Sequence, residues 1–571
     1  MYVDAFLNRK KDILQVAERI NGKRVLREVP LVYEFYSQDA RGTTPSVTGV
    51  PTRKHTFSSS REMKAAIDEL SGRQVPLFES DVNPLFKTLS RYYKSEPSPD
   101  LNITFFDIET DFCRKRGYAP VDDPFNRVTA ISLYRTWIQD ESKLLVLVLK
   151  PTKMPQEEAE AIIEELNKEE GVVILCENEK QMLNAFLDLT EDTDVFSGWN
   201  SEVYDVPYLV NRIRMIMSDA ETSRFCLWGE KPRAKTVDNY GKEVGTYDFV
   251  GKIHMDYLDL FKKHAGQVEQ SYSLDYIGGK VTGEHKVPYT GNLDVLYNTM
   301  FAEFCRYSRQ DTKLLYLMNK KLDYINLHNR LAHQECVLIS TTMGSVALLE
   351  TAVINEIHEW GEVVFDKRQH SESDGAAGAW VQDPITGLHE EIGLIDLNSL
   401  YPSAIRALSM STERIIGQIR QTYTQKFIDD RIEQQRMKSH SREFKPDYAE
   451  AWHPLFAAIE HTMVINKSPD VLVVDMEDGN SFETTGAELY GIIFAENSSI
   501  VVSANGTLFD RSQRGVIPAI LTRWYEERKK MQQSVIDYKL LGCSSANADE
   551  NGIHLEPDDL AGLEQALNKL T

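Results

Sequence analysis

Cysteine is sparse and scattered in this chain: Cys113, Cys176, Cys226, Cys305, Cys336 and Cys543 stand far apart, with no C-x-x-C pair. That spacing argues against a zinc ribbon or a disulfide framework and fits reduced thiols in a cytoplasmic compartment. Long apolar runs are also missing. No stretch of 18 apolar residues occurs and the first ten residues lack a signal-peptide pattern, so a soluble protein with no membrane partner is expected. Positive charge is in deficit, with 64 Lys and Arg against 87 Asp and Glu and a net charge of −23. Any nucleic-acid path would then be a local basic groove on an acidic body. What is present describes an ordinary globular protein: 42% hydrophobic and 10% aromatic residues. At 571 residues the chain exceeds one core, and several domains are expected.

Residues 1–100 alternate short β-branched pieces with polar turns, and Asn21-Gly22 marks a hairpin. A β-rich domain follows from that pattern, with one amphipathic helix over 61–70. At Pro97-Ser98-Pro99 a boundary leads into Leu101–Thr110, read as a strand, so Asp107 and Glu109 point to one face. Two carboxylates placed so repel each other unless a cation lies between them. Taken alone, D-x-E is weak in a chain this acidic; the apolar approach places the pair at a strand's buried end. Asp205 closes a second strand-to-loop segment, Val195–Tyr208, just before a helix read over 208–217, where capping is the plain alternative. Tyr307 and Asp311, four apart, share a helical face.

Further on, the apolar run Ile392–Ile395 reads as a buried strand that delivers Asp396 to its carboxyl end. The turn closes at Pro402, and Ala404–Leu408 opens a helix. A carboxylate at a strand end with free N–H groups beside it suits a metal-bridged polyphosphate.

The octet Asp396-Leu397-Asn398-Ser399-Leu400-Tyr401-Pro402-Ser403 resembles motif A, D-x-x-S-L-Y-P-S, of the family B DNA polymerases. The three earlier carboxylate segments resemble, in the same order, the D-x-E, N-x(2,3)-(F/Y)-D and Y-x-x-x-D motifs of their 3′–5′ proofreading exonucleases. The likeness is strongest to polymerases of T-even-type bacteriophages. It implies an α/β multidomain chain: a β-rich N-terminal domain (1–100), an RNase H-like, DnaQ-type exonuclease domain (101–325), a helical return to the N-terminal domain (326–377), a partial α+β palm with motif A (378–505) and the first part of helical fingers (506–571).

The same resemblance implies that Asp107, Glu109, Asp205 and Asp311 hold two divalent metals, Mg²⁺ or Mn²⁺, while Tyr307 orients the attacking water. An all-carboxylate set suits hard cations, and in-line hydrolysis of a phosphodiester suits a pair of them. In the palm, Asp396 and the Leu397 carbonyl would bind metal, the Ser399 and Leu400 amides would hold the dNTP triphosphate, and Tyr401 would stack under its sugar. Arg528, with Lys529 or Lys530 in place of a position filled by Gln532, would grip the phosphates. A hairpin over 235–244 would help separate primer from template; a plain surface hairpin is the alternative. Gln270–Ile277 would pack and touch the DNA strand, and the segment from Gly378 to Leu388 would touch the template. Residues 422–450 read as a charged, solvated helical excursion.

After the octet nothing matches motif B, K-x-x-x-N-S-x-Y-G, or motif C, Y-G-D-T-D. The chain instead finishes in a polar loop and a helix over 557–570 striped by Leu560, Leu563, Leu567 and Leu570. The favoured reading is the N-terminal subunit of a split replicative polymerase acting on primer-template DNA. A C-terminal partner would supply motifs B and C and, through itself, a sliding clamp. A stand-alone 3′–5′ exonuclease with a vestigial palm is the first alternative, and a non-enzymatic replisome subunit the second; a shortened piece of a longer polymerase would look similar to the favoured reading, with the leucine-striped helix arguing against an arbitrary cut. The compartment would be the host cell's cytoplasm.

Overall fold

The computed structural model describes residues 1–239, 241–289, 291–367, 383–395, 397, 399–420, 422–438, 444, 446, 471–477, 479–503 and 506–544. Asp396, the start of the 378–388 segment and the leucine-striped 557–570 segment lie outside the described residues. None of the described helices is long and apolar enough to cross a membrane.

The first strands, Tyr2–Asn8, Ile13–Ile20 and Lys23–Pro30, form an antiparallel meander. Its second turn is the Asn21-Gly22 pair, both residues at positive φ, +50° and +75°, as a two-residue hairpin requires. A second small sheet pairs Tyr33–Gln38 with Pro51–Phe57 and Leu77–Phe78. Helices Ser60–Gly72 and Pro84–Tyr93 cover these sheets through Met63, Leu85 and Leu89.

The central element is a six-stranded mixed sheet, in the order Val172–Cys176, Leu144–Leu149, Val128–Arg135, Ile103–Thr110, Val195–Ser197, Ile253–His254. Strand Ile103–Thr110 is buried on both sides. Ile103 and Phe105 pack with Tyr257, Leu314 and Met318 on one face, and Phe106 and Ile108 with Phe186 and Phe196 on the other. Period-2 alternation puts Asp107 and Glu109 on the face of Phe105, the face crossed by helix Phe301–Leu322. This layering brings the carboxylates of strand and helix together.

After helix Tyr324–Glu335 the chain returns to the first domain. The Tyr2 hydroxyl donates to the Ala332 and Val337 carbonyls, and the N–H of Val47 to the Val363 carbonyl at 3.0 Å.

A five-stranded antiparallel sheet follows, in the order Ser481–Thr485, Val471–Met476, Ile415–Arg420, Thr507–Asp510, Ile500–Val502. Strand Thr507–Asp510, which the sequence places with the fingers, pairs here with Ile415–Arg420. The long helix starts only at Val516 and runs to Ser544. It packs on helix Ser345–Glu359 through Val353, Ile357, Val516 and Ile520, with Arg523 paired to Glu356 at 2.5 Å.

The strand expected at Ile392–Ile395 is not formed. Ile392, Leu394 and Ile395 belong to no strand and have no sheet partners among the described residues, and Leu394 is 92% exposed. An apolar run becomes a buried strand only where a sheet edge is there to pair with it, and periodicity carries no information about that edge. The following helix also begins earlier than expected, spanning Leu400–Leu408. Pro402 sits in its first turn, where no N–H is needed.

Candidate active site

Strand Ile103–Thr110 carries Asp107 and Glu109, and helix Phe301–Leu322 carries Tyr307 and Asp311. Ligand oxygens of Asp107, Glu109 and Asp311 all lie within 4.8 Å of one another. The strand holds an irregularity at this point: Glu109 opposes Ala130 but Thr110 opposes Val128, so Thr129 is skipped. Such a bulge re-aims the side chain beside it, and the Thr129 hydroxyl fixes it by donating to the Glu109 carbonyl at 3.1 Å.

Asp205 is the first residue of helix Asp205–Ile216, which starts three residues before the expected 208. Its carboxylate is not a cap at the side-chain level. It turns back to the strand, and Oδ1 accepts the Ile108 N–H at 3.1 Å. That bond places its charge between those of Asp107 and Glu109 in sequence and close enough to bear on both.

Sequence reasoning missed one further member, Lys286. Its Nζ donates to Asp311 Oδ2 at 2.5 Å and to the Tyr307 hydroxyl at 3.0 Å. A lone lysine in a loop has no spacing to betray it. Its position beside helix Phe301–Leu322 is a product of the fold.

Four carboxylates facing one ammonium leave the cluster short of positive charge. Burial first, then repulsion from Asp205, Glu109 and Asp311, lifts Asp107 well above the usual carboxylate range. Burial, reinforced by Asp311, raises Glu109 to about 8. Asp205 is raised to about 7 by burial, against the Ile108 N–H bond. Burial raises Asp311 too, and Lys286 opposes it. For Lys286 burial favours the neutral amine, but Asp311, Tyr307 and Asp107 outweigh that and hold the ammonium.

A divalent cation fits this chemistry. The donors are all hard oxygens, and Asp311, 1% exposed, has a buried Oδ1 with no hydrogen-bond partner, an acceptor left over beside its neighbours.

The electrostatics make a stability prediction. A carboxyl whose pKa is raised on folding disfavours the folded state as pH climbs from its unfolded value, near 4–4.5, toward the folded one. With chelator present, Glu109 and Asp205 should therefore lower the melting temperature progressively up to about pH 8. Added divalent cation should restore more stability at pH 8 than at pH 6. Differential scanning fluorimetry across that range checks it; a metal effect independent of pH would contradict the assignment.

Beside Glu109 opens a cavity of about 360 Å³ lined by Thr110, Tyr118, Tyr204, Tyr289, Gly291, Asn292 and Leu293. Tyr289 stands edge-on to Tyr307, with centroids 5.3 Å apart, and the Tyr204 hydroxyl is 3.0 Å from that of Thr110. Tyr118 and Tyr289 are exposed, so apolar ring faces flank the carboxylates.

The palm-type residues form no comparable cluster among the described residues. Leu397, Leu400 and Tyr401 are exposed, and Ser399 has φ +54° at the start of helix Leu400–Leu408. That helix packs on the long one through Arg406, whose guanidinium lies 4.4 Å from the Tyr525 ring centroid. Lys529 approaches the same ring at 5.6 Å. Arg528 is half-buried with an unpaired Nε, and Lys530 is exposed. An Asp-Thr-Asp triplet, the core of motif C, does occur earlier in the chain, at Asp192-Thr193-Asp194. It lies in the six-stranded sheet's foundation, where Arg19 pairs with both aspartates, and is structural.

Two family descriptions match this chain: "DNA polymerase family B, exonuclease domain" over residues 76–277 and "DNA polymerase family B" over 337–456. The chain belongs to the family B DNA polymerases. The family's exonuclease domain thus spans the strand carrying Asp107 and Glu109 and the helix start carrying Asp205, while the polymerase match spans the octet. Among curated relatives, the DNA-directed DNA polymerase of Escherichia phage RB69 is 26% identical over 418 residues, covering 70% of this chain and 45% of that protein. That of Enterobacteria phage T4 is 31% identical over 248 residues, covering 43% and 27%. A DNA polymerase of Archaeoglobus fulgidus is 25% identical over 292 residues, covering 48% and 34%. The chain therefore matches less than half the length of each of these relatives.

Proposed function

We propose that this chain is the N-terminal subunit of a split replicative family B DNA polymerase, a metal-dependent 3′–5′ proofreading exonuclease that also carries half of a polymerase centre. The observation that carries the nuclease half is the convergence of Asp107, Glu109 and Asp311, with Asp205 alongside, at one end of the six-stranded sheet. These carboxylates would hold Mg²⁺ or Mn²⁺. When bound, the ions would activate the attacking water and neutralise charge developing on the scissile phosphate.

The chain's own groups take the remaining tasks. Lys286 holds Asp311 and the Tyr307 hydroxyl in one hydrogen-bonded unit. Tyr307, so fixed, is the group to orient the water. The tyrosine-lined cavity beside Glu109 fits a frayed 3′-terminal nucleotide, because ring faces stack on any base without reading its identity. Stacking contributes about 1–3 kcal/mol per base, or roughly 5- to 150-fold in affinity. Replacing Tyr118 and Tyr289 together by alanine should accordingly raise KM for single-stranded DNA at least about 10-fold, with kcat changed far less. Steady-state excision of an oligonucleotide measures both, and an unchanged KM would remove the cavity from the substrate path.

The polymerase half rests on the apolar stretch Ile385, Leu388, Ile392, Leu394, Ile395, Leu397, Leu400 and Tyr401, all exposed around the octet. So many exposed apolar side chains close together support a surface that is covered in the working assembly. A C-terminal polypeptide bearing motifs B and C, and with it any sliding clamp, would cover it and complete the site for primer-template and dNTP. The direct test is digestion of a mismatched primer-template by the chain alone. Excision that needs a divalent metal and is not suppressed by dNTPs supports the reading; a chain inert with every divalent metal tried overturns its nuclease half.

A further inference from the structure

We infer that Asp256 is a positioning residue for the exonuclease centre: its carboxylate clamps the 198–204 loop and so sets where Asp205 meets the other carboxylates. The inference deepens the nuclease reading above and rests on it.

Asp256 is 5% exposed and belongs to none of the motifs. Its partners are three backbone N–H groups: Oδ1 accepts from Asn200 and Leu258, each at 2.9 Å, and Oδ2 from Glu202 at 2.9 Å. The Leu258 bond is an ordinary N-cap for helix Tyr257–His264. The other two are not part of that helix. They grip the loop on either side of Ser201.

That loop needs a clamp. Asn200 holds φ +60°, the left-handed region that asparagine tolerates better than most residues but that still reverses the chain sharply at this point. Gly198 lets the loop double back against the strand carrying Asp107, since a Cβ there would come within 2.9 Å of the Phe106 carbonyl oxygen.

From Ser201 the constraint passes directly to the metal ligand. The Ser201 carbonyl accepts the N–H of Val206, the residue after Asp205, at 2.9 Å, and its hydroxyl meets His254 Nε2 at 2.9 Å. With Asn200 and Glu202 both fixed, the carbonyl between them fixes the first turn of helix Asp205–Ile216. The Asp205 carboxylate is thereby aimed at the Ile108 N–H and the cluster behind it.

Asp256→Ser and Asp256→Asn separate clamp from cap. Serine is a strong N-cap and keeps the Leu258 bond, but its single hydroxyl cannot also reach Asn200 and Glu202. Asparagine keeps one acceptor and turns a donor toward the Glu202 N–H. Each variant is measured for far-UV circular dichroism and melting, for Mn²⁺ binding by calorimetry, and for Mg²⁺-dependent excision of single-stranded DNA.

For Asp256→Ser we expect a cooperative fold, Mn²⁺ affinity and half-saturating Mg²⁺ worse by about 10-fold or more, and a lower kcat with KM for DNA within about twofold. Asp256→Asn should show the same pattern in weaker form. A folded Asp256→Ser protein with wild-type metal affinity and kcat would reduce Asp256 to a helix cap and overturn the inference. Failure of both variants to fold would overturn it equally, by making Asp256 a folding residue. If the wild-type chain binds Mn²⁺ yet excises nothing, the nuclease reading fails by itself, and the Mn²⁺ comparison still decides the clamp.

Discussion

Asp107→Ala should abolish excision, lowering kcat by roughly 10³-fold or more, while leaving the fold intact and DNA binding within a few-fold. The size follows from what a bound cation is worth. Lewis-acid stabilisation of several kcal/mol, at 1.36 kcal/mol per factor of ten, corresponds to about three orders of magnitude. Asp107 is chosen because it feels each of the other three carboxylates. Removing it dismantles the cluster while relieving repulsion, so melting in chelator should rise or stay level. Rapid-quench excision of a mismatched primer with Mg²⁺ checks the rate, and scanning fluorimetry the stability. Residual excision within tenfold of wild type would move the chemistry elsewhere.

The second large effect is a gain. Alone, the chain should incorporate no nucleotide on a primer-template. Mixed with a polypeptide carrying motifs B and C and a thumb, it should extend the primer, and Asp396→Ala in this chain should remove that extension while sparing excision. Primer extension on a gel, run beside size-exclusion chromatography of the mixture, measures both association and synthesis. The same mixing should protect the 385–401 stretch from proteolysis, because covering those exposed apolar side chains is the expected source of the association. Synthesis by the chain alone would overturn the split reading, and a stable complex that leaves 385–401 open to protease would overturn the docking surface.

How much of this was legible in the sequence varied with the range of the interaction. Asp107 and Glu109 were readable because a strand's period of two is a local property, as was the four-residue spacing of Tyr307 and Asp311 on their helix. Asp205 was read just before a helix, with capping as the plain alternative; the structure makes it that helix's first residue and puts its carboxylate on a distant strand instead. Its partner, the Ile108 N–H, is 97 residues away. Lys286 and Asp256 were invisible for the same reason: each acts on residues brought to it by packing, without a motif of its own. The bulge at Thr129 could not be foreseen either, since it arises from a mismatch between two strands. At Ile392–Ile395 apolar content alone gave a strand, and the structure shows those side chains in solvent with no strand beside them among the described residues. The Asp-Thr-Asp triplet teaches the converse, that a three-residue pattern can be filled by a structural ion pair.

Arg19 and Asp194 carry a last implication. The arginine projects from the N-terminal meander, is 2% exposed, and closes a bidentate pair with Asp194, which also accepts the Asn102 N–H just ahead of the strand bearing Asp107. Arg24 of the same meander also reaches Asp194, at 2.9 Å, and Arg19 also meets Asp192, at 3.0 Å, so the joint is a network of two arginines and two aspartates rather than one pair. The opening hundred residues are therefore not an appendage that could be shed or exchanged at leisure. They and the six-stranded sheet should melt as one unit, in a single calorimetric transition, because the charges that join them are shared between the two.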